Sequence, residues 1–94
     1  MSEVSERPSI NVGNSEDFWW GQVEVVRAGV TFDGKACFWL RGESGGIKVG
    51  AWFYGDCPDM AQVGLEAIAG GKKAEVGLED HKANSKVNVI LLVP

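Results

Sequence analysis

The sequence predicts a small, mainly β domain with one helix. It is either a five-stranded antiparallel barrel in the order β-β-β-α-β-β or an open antiparallel sheet with the helix packed on one face. Three observations lead there. All nine aromatic residues fall between Phe18 and Tyr54, apolar residues alternate with polar ones in five separate runs, and a single stretch of helical spacing lies between the third and fourth runs. Aromatic side chains carry large apolar areas and favour half-buried pleated surfaces, so the stretch from Phe18 to Tyr54 is expected to nucleate the core.

The first 17 residues are rich in serine and acids and hold Val4, Ile10 and Val12 as their large apolar residues after Met1. They have little to bury, and are expected to form a flexible N-terminal tail or a loosely added edge strand around Ile10 to Val12. The single β-rich domain is then 18–94, since a chain of 94 residues supports only one core.

Phe18 to Arg27 alternates, with Trp19, Gly21, Val23 and Val25 on one side and Trp20, Gln22, Glu24 and Val26 on the other. Gly21 inside this strand marks the expected bulge or bend that lets a long first strand curl. Asp33-Gly34 is a tight-turn dipeptide that delivers the chain into Lys35 to Arg41, where Ala36, Phe38 and Leu40 oppose Lys35, Cys37, Trp39 and Arg41. Ile47 to Tyr54 alternates in the same manner, with Ile47, Val49, Ala51 and Phe53 against Lys48, Gly50, Trp52 and Tyr54. Directly opposed residues share a face, and a four-residue loop from Glu43 to Gly46 makes the apolar sets coincide. The expected pairs are Leu40 with Val49, Phe38 with Ala51 and Ala36 with Phe53 inside, and Arg41 with Lys48, Trp39 with Gly50, Cys37 with Trp52 and Lys35 with Tyr54 outside.

A helix is expected from Cys57 or Pro58 to about Ala69, capped by Asp56 and stopped by Gly70-Gly71. Small and apolar residues cover most of its circumference, as in a helix buried against a sheet. Lys73 to Glu79 then turns Ala74, Val76 and Leu78 inward. Lys86 to Val93 closes the domain with Val87, Val89, Leu91 and Val93 inside, and Ile90 and Leu92 make its other face apolar too.

The order of these elements resembles that of the OB fold, on spacing and a bent first strand rather than on diagnostic residues. The resemblance implies that the face of the central hairpin is where an oligonucleotide would bind. That face interleaves Lys35, Trp39, Arg41, Lys48, Trp52 and Tyr54. Each large ring can bury about 150 to 250 Å², so the three together rival the roughly 300 to 600 Å² of a typical monomer's largest apolar patch. A covering is therefore expected: the N-terminal tail, a second copy, another protein or ligand, or single-stranded nucleic acid.

The net charge of -4 disfavours long-range attraction to phosphates. The expectation is accordingly a non-enzymatic binding or oligomerisation module that associates through this face with a protein partner, most simply another copy. Single-stranded nucleic-acid binding is the alternative. No cofactor or metal motif is read. His81 beside Glu79 and Asp80 is expected to be a solvated loop, and Cys37 and Cys57 small apolar thiols rather than a disulfide pair. Gly42, Gly45 and Gly46 with Ser44 sit between strands and precede no helix, unlike a phosphate loop. The longest unbroken apolar run, Val89 to Val93, is too short to span a membrane, Met1 to Gly13 lacks the apolar centre of a secretory signal, and a cytoplasmic location is expected.

Overall fold

A computed structural model describes residues 18–94. The expectations for the first 17 residues, tail and edge strand alike, lie outside the described residues. The elements are β1 (Trp19–Val30), β2 (Ala36–Ser44), β3 (Ile47–Gly55), α1 (Met60–Gly70), β4 (Ala74–Leu78) and β5 (Val87–Leu92). They form one antiparallel sheet in the order β3-β2-β1-β4-β5 with a single helix, so the fold is mainly β. The sheet is not closed by a ladder. Its outer strands meet at one parallel bridge between Tyr54 and Lys86, and the open sheet with one helix fits the arrangement. No helix among the described residues is long and apolar enough to cross a membrane.

The inner face follows from the alternation. Phe38 opposes Phe53 and Leu40 opposes Ala51, and Phe38, Phe53 and Leu40 are fully buried. Val23, Val76, Leu78 and Val87 complete the centre of the core. Of the aromatic residues, Phe38, Phe53 and Trp19 enter this core. Phe32, by contrast, is fully exposed at the tip of the β1–β2 loop, so the aromatic stretch supplies the surface as well as the interior.

The β2–β3 register differs from the expected one by two residues. Gly45 and Gly46 have φ of 59° and 81°, the positive pair that a two-residue primed turn requires, and the strands therefore stay paired out to Ser44 and Ile47. A two-residue shift leaves every side chain on its expected face. It replaces the anticipated Arg41–Lys48 opposition by Glu43 against Lys48 and places Trp39 opposite Trp52.

Two bulges change the face assignments elsewhere. The bend in β1 lies between Val25 and Arg27 rather than at Gly21, so Val26 is the extra residue and Arg27 turns outward opposite Trp39. Gly21 serves a close approach instead: a Cβ there would stand 2.6 Å from that of Ser44. In β5 the ladder slips between the Leu78–Val87 and Gly77–Val89 pairs. The slip leaves Val87 and Ile90 in the core and carries Val89 and Leu91 to the other face, contrary to uninterrupted alternation.

The helix begins at Met60, two or three residues later than expected. The N–H groups of Met60, Ala61 and Gln62 donate to the carbonyls of Cys57, Pro58 and Asp59, so the first turn finds backbone acceptors and Asp56 is not its cap. Gly71, at φ 64°, ends it in a left-handed cap, with Lys72 N–H donating to Ala67 O at 2.8 Å. Gly64 is the contact point with the sheet, because a Cβ there would lie 2.9 Å from both Ala28 Cβ and the Phe38 ring. Replacing Gly64 by Val should therefore overpack this contact and cost about 1 to 3 kcal/mol. Leu65→Gln, on the exposed side of the same helix, should change stability by no more than about 0.5 kcal/mol. Urea unfolding midpoints of the two variants check the contrast.

Candidate functional site

The outer face of β1, β2 and β3 is laid out in rows by the register. Glu24, Arg41 and Gly50 form one row, Arg27, Trp39 and Trp52 the next, and Gly29, Cys37 and Tyr54 the third. Trp39 and Trp52 are directly opposed across the two strands. Trp39 is half-buried and Trp52 is 37% exposed. Trp39 also reaches over its diagonal neighbour, with its ring 3.7 Å from where a Gly50 Cβ would be, which shields bare strand backbone.

The six side chains expected from the sequence thus share one side of the molecule but not one point. Trp39, Trp52 and Arg41 are adjacent. Lys48 lies at the turn end opposite Glu43, and Lys35 and Tyr54 lie at the far end. Arg41 Nη2 donates to Glu24 Oε1 at 2.8 Å, an exposed pair that neutralises this guanidinium. Arg27, Lys35 and Lys48 form no ion pair among the described residues.

Beyond Tyr54 the face runs into an open cleft of about 400 Å³ lined by Thr31, Asp33, Lys35, Tyr54, Asp56, Asn84 and Lys86. The loop 31–35 forms one wall. It is tied by Thr31 N–H to Lys35 O at 2.7 Å, and the Thr31 hydroxyl donates to the Asp33 carboxylate. Gly34 takes φ 84° there, as the Asp-Gly turn anticipates. The loop 79–86 forms the other wall. Asn84 adopts a left-handed φ of 69° and donates its N–H to Trp52 O at 2.7 Å, while Tyr54 N–H donates to Ser85 O at 3.1 Å. These bonds hold the β4–β5 loop against the edge of β3.

The same seam carries an ion pair, Lys86 Nζ to Asp56 Oδ2 at 3.0 Å. The hydrogen bond from Lys86, reinforced by its charge, holds the Asp56 carboxyl below its ordinary range. Asp56 in turn raises the Lys86 ammonium through the same bond and charge.

Arg27, Phe32, Asn84 and Lys86 are the members that sequence reasoning missed. Arg27 was given no face by the alternation, and the charge itself was the available signal that it turns outward, since an unpaired guanidinium does not stay in an apolar row. Asn84 and Lys86 reach the cleft only because β5 is brought beside β3, a long-range juxtaposition with no local mark.

The remaining candidates lie apart. Asp80 accepts from Lys82 N–H at 3.0 Å and stands 3.4 Å from His81 Nδ1, a turn-forming arrangement. No metal-holding cluster exists among the described residues. Cys37 and Cys57 are both free thiols, the first half-buried and the second exposed. Family models, curated proteins and solved structures were each compared with this chain, and none matches.

The seam pair gives a pH signature. A lowered carboxyl contributes stability above its ordinary pKa and loses it as pH falls through the lowered value; a raised ammonium contributes below its ordinary pKa and loses it as pH climbs through the raised value. The stability difference between the native chain and Asp56→Asn should therefore be level from about pH 5 to pH 9 and shrink on both sides. Thermal unfolding of the two proteins across that range measures it. His81→Ala, by comparison, should leave the unfolding free energy within about 0.5 kcal/mol of native.

Proposed function

We propose that this chain is a non-enzymatic module that binds single-stranded nucleic acid across the β1–β2–β3 outer face, in an OB-like barrel whose seam is the Tyr54–Lys86 bridge. The observation that carries this reading is the Arg27–Trp39–Trp52 row. Two indoles share one exposed face with a guanidinium that has no ion-pair partner among the described residues, and bases stack on such rings whatever their sequence. Lys35 and Lys48 extend the row in both directions as sites for phosphate. The cleft between loops 31–35 and 79–86 continues the same track, with Phe32 exposed beside it. In barrels of this strand order the β2–β3 face and these two loops are the surface that oligonucleotides use.

A second reading, association with another copy or another protein, is favoured by the edge of β3. The outward bonds of Trp52 and Tyr54 to residues 84 and 85 indicate that Lys48 and Gly50, four and two residues before Trp52, also aim their backbone groups away from β2. Both are exposed, and such an edge can pair with an added strand.

Titration with a short oligothymidylate distinguishes the two. Tryptophan fluorescence should be quenched. Trp39→Ala and Trp52→Ala should each lose about 1 to 3 kcal/mol of binding, roughly 5- to 150-fold in affinity. With about three phosphate contacts, log affinity should fall with log salt at a slope of about -2, and Arg27→Ala should reduce that slope by about 0.7. Light scattering that gives a dimer or larger mass, with no quenching at low salt, would select the second reading instead.

A further inference from the structure

We propose that the cleft between loops 31–35 and 79–86 holds one base of the bound strand and selects bases that carry an exocyclic amino group over thymine or uracil. The inference deepens the nucleic-acid reading and rests on it for the strand, but the cleft has its own chemistry. It contains two ammoniums, Lys35 and Lys86, and two carboxylates, Asp33 and Asp56, so its formal charges cancel. Lys86 is held by Asp56 at 3.0 Å, and Lys35 lies near enough to help lower the Asp56 carboxyl. A phosphate gains little from a set of charges that already compensate one another. A neutral planar group with hydrogen-bonding edges suits it better, and a nucleobase is such a group.

The walls are held by the chain itself. Thr31 N–H donates to Lys35 O in one loop, and Asn84 N–H donates to Trp52 O from the other, both at 2.7 Å. The volume of about 400 Å³ falls within the roughly 300 to 1,000 Å³ of small-ligand clefts. Tyr54 lines it, half-buried and two residues beyond Trp52 on the same face of β3. Two residues of strand span about 7 Å, so a nucleic-acid strand stacked on Trp52 can bring its next base to the Tyr54 ring.

The hydrogen-bond acceptors of the cleft are only partly used. Asp33 accepts from the Thr31 hydroxyl, and Asp56 Oδ2 accepts from Lys86. A carboxylate has about four lone-pair sites, so each keeps capacity for a further donor. The exposed Asn84 side-chain amide, which makes no hydrogen bond among the described residues, adds a donor group and an acceptor. Lys35 forms no ion pair there and serves the phosphate that follows the base. Adenine, cytosine and guanine offer an amino group to such acceptors, and carboxylate to cytosine and Asn to adenine are recurrent matches. Thymine and uracil turn carbonyl oxygens to the same place, where acceptor meets acceptor. Stacking on Trp39 and Trp52 reads no base edge, so selection falls to the cleft.

The test compares oligodeoxycytidylate with oligothymidylate of equal length on the full chain, two pyrimidine strands that differ in the amino group. The first should bind about 5- to 150-fold more tightly. Asp33→Asn and Asn84→Gly should each bring that ratio toward unity, the glycine retaining the left-handed backbone of position 84. Trp39→Ala should weaken both oligonucleotides and leave the ratio as it was. Free nucleosides probe the cleft without the rest of the face: at about 10 mM, cytidine should shift the Tyr54 and Asn84 side-chain resonances and uridine should not. Equal affinities for the two oligonucleotides, or a ratio untouched by both cleft variants, overturn the inference while the nucleic-acid reading stands. Cytidine shifts with neither oligonucleotide bound keep the cleft assignment and remove that reading alone. No response to cytidine and no bound oligonucleotide remove both.

Discussion

The opposition of Phe38 and Phe53 is the constraint on which the rest depends. Both rings are fully buried, and a strand turns successive side chains to opposite sides, so fixing this pair inside fixes Trp39 and Trp52 outside in the next row. Core and outer face are two sides of one register. A slip of one residue would expose the phenyl rings and bury the indoles, and the loss on the inner face alone forbids it. The outer rows consequently need no stabilisation of their own to hold their geometry.

The helix and the glycines close the remaining gaps around that pair. Gly64 lets α1 come down onto Ala28 and Phe38, and Gly55 leaves the space that the Met60 sulfur occupies, 2.7 Å from where a Cβ would be. The outer side uses the same device: Trp20 lies across Gly77, with ring atoms 2.8 Å from its missing Cβ, and Phe18 packs near it at a centroid separation of 6.3 Å. Aromatic rings over glycines are thus the recurring means by which this small sheet covers its own backbone on both flanks.

Much of this was legible in the amino-acid order. The five strands, the helix and the faces of β2 and β3 follow from a period of two, and the six candidate residues do share the outer side. The hairpin register was not legible, because Gly45-Gly46 fits both a short turn and the middle of a longer loop, and only an even shift separates the two. The bulges at Val26 and within β5 were invisible for a different reason. They respond to the curvature that packing imposes, and the local sequence at Val25-Val26-Arg27 carries no glycine to announce them. The cleft lined by Asp56, Asn84 and Lys86 depends on contacts some 30 residues apart, for which a single sequence holds no signal.

Val26 has one more implication. It is the single supernumerary residue between the Val25–Leu40 and Arg27–Trp39 pairs, so excising it would join those pairs into an unbroken ladder without moving any side chain to the other side. Curvature and the outward-facing side chains are therefore written in separate positions of the same strand. A chain one residue shorter would keep every ring and cation of the outer rows, yet present them on a flatter sheet, which makes the bow of the surface adjustable without rewriting what the surface holds.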